Sequence, residues 1–286
     1  MFIDYKKIII SIILICLVKY YYYFIFLQRN NIKEFVLRIF IMTHKDFKNF
    51  RFNPVYYIVA DDKLQLKEKY RLNIIYANDG KLYKMNRAYS EMSKLYYIYE
   101  LYKTGKMSSK YIGLNHYRRY FNFTDNIPNL NKIFQNYDVI LNEPYLLEEN
   151  LRDQFCKYHN CKKYDEIIDI IKDIKPEYYK TAQIISKQKK IYCCNLFIMK
   201  KYDFLKFCEF MYDILFEFDK RNNYSSDDDL LNYSKKLYHN ISEQLYQARL
   251  EAFLSERIGN IYYYYHFKKI KIFNFSNYGD SKKNRK

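Results

Sequence analysis

Apolar positions change their period several times along the chain, and each change predicts an element. "FVLRIFIM" (Phe35–Met42) and "VYYIVA" (Val55–Ala60) are short runs rich in β-branched and aromatic residues, which predicts buried strands. "LNIIY" predicts a third. From Ala88 to Leu101 the period lengthens: Met92, Leu95, Tyr96 and Tyr99 fall on one helical face, and Gly105 beyond them is a stop signal. "YIGLN" and "YDVILN" (Tyr137–Asn142) return to strand character. Tyr164, Ile167, Ile168, Ile171 and Ile174 then form a helical stripe ended by Pro176. "IYCCNLFIM" (Ile191–Met199) predicts a strand, and Phe204, Cys208, Met211, Leu215 and Phe218 predict a long helix. "SSDDDL" opens a further helix, and Ile261–Phe267 and Ile270–Phe275 predict closing strands before a basic tail at 276–286.

Strands alternating with helices predict an α/β domain over residues 35–275, with a mainly parallel central sheet flanked by helices. Ligands in such sheets sit beyond the carboxyl ends of strands. Four strand ends carry polar clusters. They are Thr43, His44, Lys45 and Asp46; Asn78 and Asp79; Asn115, His116, Arg118 and Arg119; and Asn195 within its own strand. Together they predict a cationic cleft. Arginine offers a rigid fork of donors that matches phosphate oxygens, and histidine can donate to a phosphate or act as acid or base. Adjacent arginines point opposite ways in an extended chain, so one is expected at a ligand and the other on a carboxylate. From spacing alone, a buried His and Arg set that ties the strands together competes with this reading.

The first thirty residues change the picture. Ile8 to Leu27 is apolar apart from Lys19 and has the length of a bilayer span, and no small-residue cleavage site follows. Residues 1–30 are expected to be a membrane-anchor helix, single-pass, or a peripheral membrane-associated one, contacting membrane through residues 8–27. The rest is expected on the cytoplasmic side, because a glycan on the Asn122 sequon would crowd the arginine motif.

The chain carries 49 Lys+Arg against 32 Asp+Glu, a net charge of +17, which favours anionic partners such as phosphates, nucleic acid or an acidic membrane surface. The abundance of Lys, Asn, Ile, Tyr and Phe, with no Trp, also fits AT-rich codon usage. No nucleic-acid-binding signature accompanies the charge, and no nucleic-acid partner is expected. The cysteines at 16, 156, 161, 193, 194 and 208 form no CxxC or zinc-finger spacing and read as reduced and structural. Cys193 and Cys194 would face opposite sides of a strand. Asp227, Asp228 and Asp229 read as an acidic first turn of a helix in preference to a metal site.

These motifs resemble the bacterial capsular-polysaccharide-biosynthesis family of glycosyltransferases, catalogued as a domain of unknown function. The resemblance rests on "IFIMTHKDF", "AYSEMSKLYYIYE", the hallmark "YIGLNHYRRYF" (Tyr111–Phe121), "YDVILNEP", the region of Tyr158-His159, "NLFIMKK" (Asn195–Lys201) and "FLSERIGN" (Phe253–Asn260). It runs in order over about residues 35 to 267. The family often has Cys at the position of Asn115 and Trp at those of Tyr97 and Tyr99. The resemblance implies a glycosyltransferase-A-like fold, a nucleotide-sugar donor and a glycan or lipid-linked acceptor of a surface polysaccharide. It puts Thr43, His44, Lys45, Asn78, Asp79, Asn115, Arg118, Arg119 and Asn195 at the donor, with His116, Glu91 and Glu256 as candidate catalytic groups. Such folds usually hold a divalent metal, Mg or Mn, through Asp-x-Asp. Here the corresponding strand ends in "NHYRRY", which implies cationic side chains in place of the metal's charge; Asp79, or Asp61 with Asp62, are the remaining candidate metal ligands.

Overall fold

The structure is a computed structural model of the 286-residue chain and describes residues 35–45, 55–61, 64, 73–78, 80–121, 123, 127–274 and 276–277. The predicted membrane helix, Asp46, Asp62, Asp79 and most of the basic tail lie outside the described residues. Among the described residues, no helix is long and apolar enough to cross a membrane.

The strands are β1 (Phe35–Met42), β2 (Tyr56–Ala60), β3 (Ile74–Tyr76), β4 (Ser109–His116), β5 (Arg119–Tyr120), β6 (Val139–Leu141), β7 (Tyr145–Leu146), β8 (Lys190–Ile191), β9 (Phe197–Lys200), β10 (Ile270–Ile272) and β11 (Ser276–Asn277). The main sheet runs β10-β6-β9-β4-β1-β2-β3, with β5 and β11 at one end of β4. β3, β2, β1 and β4 are parallel, as are β6 and β10; β9 runs antiparallel between the two groups. The sheet is therefore mostly parallel, with one reversed strand near its centre.

Alternation within strands decides which core each residue joins. Leu37, Ile39 and Ile41 pack with Tyr56, Ile58, Tyr111 and Ile198 on one face. Phe40 and Met42 point to the other, under the helices Glu91–Lys103, Lys201–Asn222 and Leu250–His266. A Cβ on Gly113 would lie 2.9 Å from Ile39 Cγ1 and 3.2 Å from Ile198 Cγ1. The glycine of "YIGL" thus lets β4 lie between two strands whose isoleucines lean over it.

Four expectations change. Ile191–Met199 is not one strand: β8 pairs with β7 in a separate ribbon, β9 enters the main sheet, and Cys194 (φ 70°) and Asn195 (φ 50°) break the chain between them. Left-handed backbone cannot continue a ladder. Ile261–Phe267 is helical almost to its end, in Leu250–His266, because Leu254, Ile258, Ile261 and Tyr262 bury one helical face that outweighs the strand preference of Ile and Tyr. The helix over Ala88–Leu101 is interrupted at Ser90, which has φ 50° and separates Asn86–Tyr89 from Glu91–Lys103. Cys156 and Cys161 are joined in a disulfide, since the short link between two helices brings their Cα atoms to 4.4 Å.

The acidic triplet does structural work. Asp229 completes a capping box with Ser226, while Asp227 accepts hydrogen bonds from the backbone N–H groups of Arg87 and Ala88 at 3.0 Å. One triplet caps two helices. Among the described residues, no group of three or more His, Cys, Asp or Glu side chains is placed to hold a metal ion.

Candidate active site

The parallel register sets Met42 of β1 beside His116 of β4, and the Tyr117 N–H donates to the Met42 carbonyl at 3.2 Å. The chain therefore leaves both strands at the same place. Buried Tyr117 becomes a platform there. His44 meets its ring edge-on at 5.1 Å and the His116 ring lies at 4.3 Å. Lys45 Nζ and Arg118 Cζ each lie 5.3 Å from its centroid. The face of an aromatic ring attracts cations, which offsets part of the repulsion among these groups.

A cavity of about 280 Å³ opens beside them, between the ends of β1 and β4, the helices Asn86–Tyr89 and Glu91–Lys103, and Arg249. Met42, Thr43, His44, His116 and Arg118 line one side; Asn86, Arg87, Ser90, Glu91, Lys94 and Arg249 line the other. Among the described residues, no carboxylate forms an ion pair with Lys45, Arg118, Arg119 or Arg249. Arg118 Nε is buried with no hydrogen-bond partner among the described residues. Ser90 Oγ accepts from Arg249 Nε at 2.9 Å, so the strained left-handed backbone at Ser90 serves to orient a cavity arginine. Lys94 differs: it is buried, paired with Asp61 at 3.1 Å, and donates to Asn86 at 3.0 Å. Its charge is neutralised in the cavity wall.

The histidines are held neutral. Burial, followed by the Arg118 and Arg119 charges, pushes His116 down to about 3, and His116 Nδ1 accepts from the Arg118 N–H at 3.2 Å. Partial burial and the neighbouring Lys45, Lys94 and Arg118 lower His44 as well. An anion entering the cavity would reverse these shifts by favouring the charged imidazole.

Of the two candidate bases, Glu91 lines the cavity and Glu256 does not. Burial, reinforced by the Glu256 charge, raises Glu91 above the usual carboxylate range. Asn195 Nδ2 donates to Glu91 Oε1 at 3.3 Å and also reaches Ser255 Oγ at 3.4 Å. Glu256 is committed elsewhere: Oε1 accepts from the Cys194 N–H at 2.9 Å and Oε2 pairs with Arg257 at 3.1 Å.

The cleft read from strand ends thus brings together Thr43, His44, His116 and Arg118, with Glu91 opposite; Lys45 does not line it and lies over the Tyr117 ring. Asn195 is adjacent because β9 is antiparallel: Leu114 pairs with Phe197, so the start of β9 lies at the carboxyl end of β4. Asn115 is buried and structural, its Oδ1 accepting from the Phe121 N–H at 3.3 Å. Asn78 is exposed at the end of β3 and does not line the cavity. Arg119 turns away to Cys194 Sγ at 3.2 Å, on a thiol where a carboxylate was expected. His159 is buried on Gln247 at 2.8 Å, away from the cavity. Sequence reading missed Arg87, Lys94 and Arg249. Arg249 lies four residues before the quoted Phe253–Asn260 motif, and nothing in its neighbours marked it.

A divalent metal of the kind this fold usually holds needs several convergent oxygens. The described residues lining the cavity offer mainly cations, and Asp61 is taken by Lys94 and Asn86. They do not fit a hard cation, so no step is assigned to one.

Two comparisons bear on this arrangement. The solved structure of the WbbM bifunctional glycosyltransferase in its apo form matches with a TM-score of 0.59 at 17% sequence identity, over 85% of this chain and 45% of that one. This chain therefore spans under half the length of that protein, and the likeness is one of fold: a glycosyltransferase-like α/β sheet flanked by helices. No curated protein matches the sequence. A family described as a domain of unknown function, DUF4422, matches residues 38–268, most of the chain and every element around the cavity, and the protein is a member of it.

Proposed function

We propose that the protein is a glycosyltransferase that moves a sugar, hexosyl or pentosyl, from a nucleotide-diphosphate donor to a cell-surface glycan or lipid-linked acceptor. The observation that carries this reading is the convergence of Arg118, Arg249 and His44, with Lys45 beside them on Tyr117 and no carboxylate partner among the described residues, at the carboxyl edge of a glycosyltransferase-like sheet. A diphosphate leaving group gains negative charge as its bond to the anomeric carbon breaks. Preorganised cations in a partly enclosed site stabilise that charge more than water does. Here cationic side chains do what a metal ion does in related folds.

Glu91 is the general base. The acceptor oxygen attacks the anomeric carbon, the carbon–oxygen bond to the diphosphate breaks, and the acceptor hydroxyl proton passes to the Glu91 carboxylate. Its raised pKa makes it a better proton acceptor near neutral pH. Asn195 positions it. His116, neutral in the free protein, donates to a phosphate oxygen once the anion is bound.

The test is a screen of nucleotide sugars with the full chain, with and without EDTA. Turnover that survives EDTA, is lost in Glu91→Gln with nucleoside-diphosphate binding retained, and falls together with binding in Arg118→Ala supports the assignment. Binding without turnover of any donor would identify a non-catalytic nucleotide-sugar-binding relative. Absence of any nucleoside-diphosphate binding sinks the reading altogether.

A further inference from the structure

We propose that Cys193 and Cys194 form an oxidisable vicinal dithiol, a modification site for low-molecular-weight disulfides, immediately before Asn195, which touches Glu91 of the cavity wall. The two Sγ atoms lie 3.2 Å apart and share a hydrogen bond. Neighbouring residues on a regular strand point apart, so this contact exists only because Cys194 and Asn195 both take left-handed backbone (φ 70° and 50°). The turn is fixed at both ends: the Cys194 N–H is held by Glu256 and the Asn195 side chain by Glu91 and Ser255. Both thiols are half-buried and within reach of a small reagent.

The surroundings give the two sulfurs different roles. Arg119 Nη1 donates to Cys194 Sγ at 3.2 Å. The Cys193 hydrogen bond, aided by the Arg119 charge, lowers the Cys194 thiol; the same bond and burial push Cys193 up. Cys194 is the nucleophile and Cys193 the proton-bearing partner that resolves. The Cys194 thiolate attacks one sulfur of the reagent disulfide, forming a mixed disulfide and expelling one thiolate. Cys193 then loses its proton, attacks Cys194 Sγ, and expels the second thiolate. Two cysteine thiols are oxidised to one disulfide and the reagent is reduced to two thiols, which take up the two protons. This contrasts with Cys208, fully buried under the helices and inert.

Ring closure draws the two sulfurs together and strains the residue that follows, Asn195. Asn195 holds Glu91, so closure is expected to lower turnover; that consequence, unlike the dithiol chemistry, rests on the transferase reading.

The experiment incubates the folded full chain with oxidised glutathione, blocks remaining thiols with iodoacetamide, and maps peptides by mass spectrometry. The expected product is a peptide spanning residues 193–194 that has lost two hydrogens and resists alkylation until reduced. Cys193→Ser should instead accumulate a stable glutathione adduct on Cys194, and Arg119→Gln should alkylate at Cys194 several-fold more slowly at neutral pH. A wild-type protein that stays fully alkylatable at both cysteines, or that keeps the glutathione adduct without closing, overturns the proposal. If the dithiol closes and reopens with dithiothreitol while turnover never changes, the link through Asn195 is wrong. The mass measurement stands whether or not any nucleotide sugar turns over.

Discussion

Two clusters of like charge lie within two residues of each other along the chain and meet opposite fates. Arg249 and Arg87 face the cavity, with Arg118 and His44 across from them. Glu251 and Tyr89, two residues further on in each segment, are fully buried with Asp219. The cations remain partly solvated and, among the described residues, their side chains have no carboxylate partners. The acids have excluded water and resolve their repulsion by keeping a proton. Tyr89 donates to Asp219 Oδ2 at 2.5 Å, while among the described residues neither Glu251 oxygen meets a donor group. Two carboxyls buried together in this way settle with a proton on one of them. Burial, then the Asp219 charge, raises Glu251 well above the usual range; burial raises Asp219 to about 7. Like charges at an open site wait for a counterion, whereas like charges in a core must be neutralised in place.

The largest effect that would test this contrast is on the cationic side. Arg118→Ala should lower donor turnover by about 10²–10³, the usual cost of removing one preorganised donor to a developing anion, with the melting temperature unchanged. A drop in melting temperature that accounts for the lost activity would make Arg118 structural. Next comes Asp219→Ala, which leaves the Tyr89 hydroxyl without its acceptor and should cost about 1–3 kcal/mol in chemical denaturation. Glu251→Gln, which keeps a donor to Asp219, should cost clearly less. Equal losses would mean that the pair shares no proton.

Smaller and more diagnostic is the pH dependence, because the two clusters titrate with opposite sign. His116 sits at about 3 against an ordinary 6.5, so the native state binds fewer protons than the unfolded chain between those values. Its contribution to stability is present above 6.5 and fades as pH falls toward 3. Asp219 is raised from 3.8 to about 7, so its contribution is present below 3.8 and fades as pH rises through about 7. Asp219→Asn should remove a fall in stability from pH 4 to 7, and His116→Gln should remove a rise over pH 3 to 6.5. Melting curves across pH that keep both slopes in these variants would place the titration on other groups. The smallest expected effect is Ser226→Ala, about 1 kcal/mol by urea unfolding, from loss of the capping box. Asp227, which caps the helix beside the cavity, should retain its contacts with Arg87 and Ala88.

Much of the cavity was legible because its residues lie in contiguous runs. "MTHK" and "NHYRR" each follow a strand whose apolar period is unmistakable, and parallel strands deliver their carboxyl ends to one edge. Arg249 and Lys94 were not legible, since a lone cation in a helical segment looks like any solvated one. The pairing of Lys94 with Asp61 depends on the end of β2 meeting a helix more than thirty residues away. The break in "IYCCNLFIM" was hidden for a related reason. Nothing in Ile, Tyr, Leu or Phe announces left-handed backbone, and Cys194 is held in it by Glu256 and Arg119, residues far away in the chain.

By itself the sequence determined the alternation of elements, the strand glycine at position 113, the cationic chemistry after β1 and β4, and the acidic helix start at 227–229. Each follows from short-range periodicity or from residue types fixed by local sterics. The tertiary structure alone decided that β9 reverses, which carries Asn195 to the cavity edge. It decided that Glu91 lines the cavity while Glu256 is spent on Cys194 and Arg257, that Arg119 meets a thiol, and that Asp219 and Glu251 meet in the core. Those outcomes rest on contacts between residues far apart in the chain, where packing and desolvation, and not local preference, set which charge is paired and which is left for a ligand.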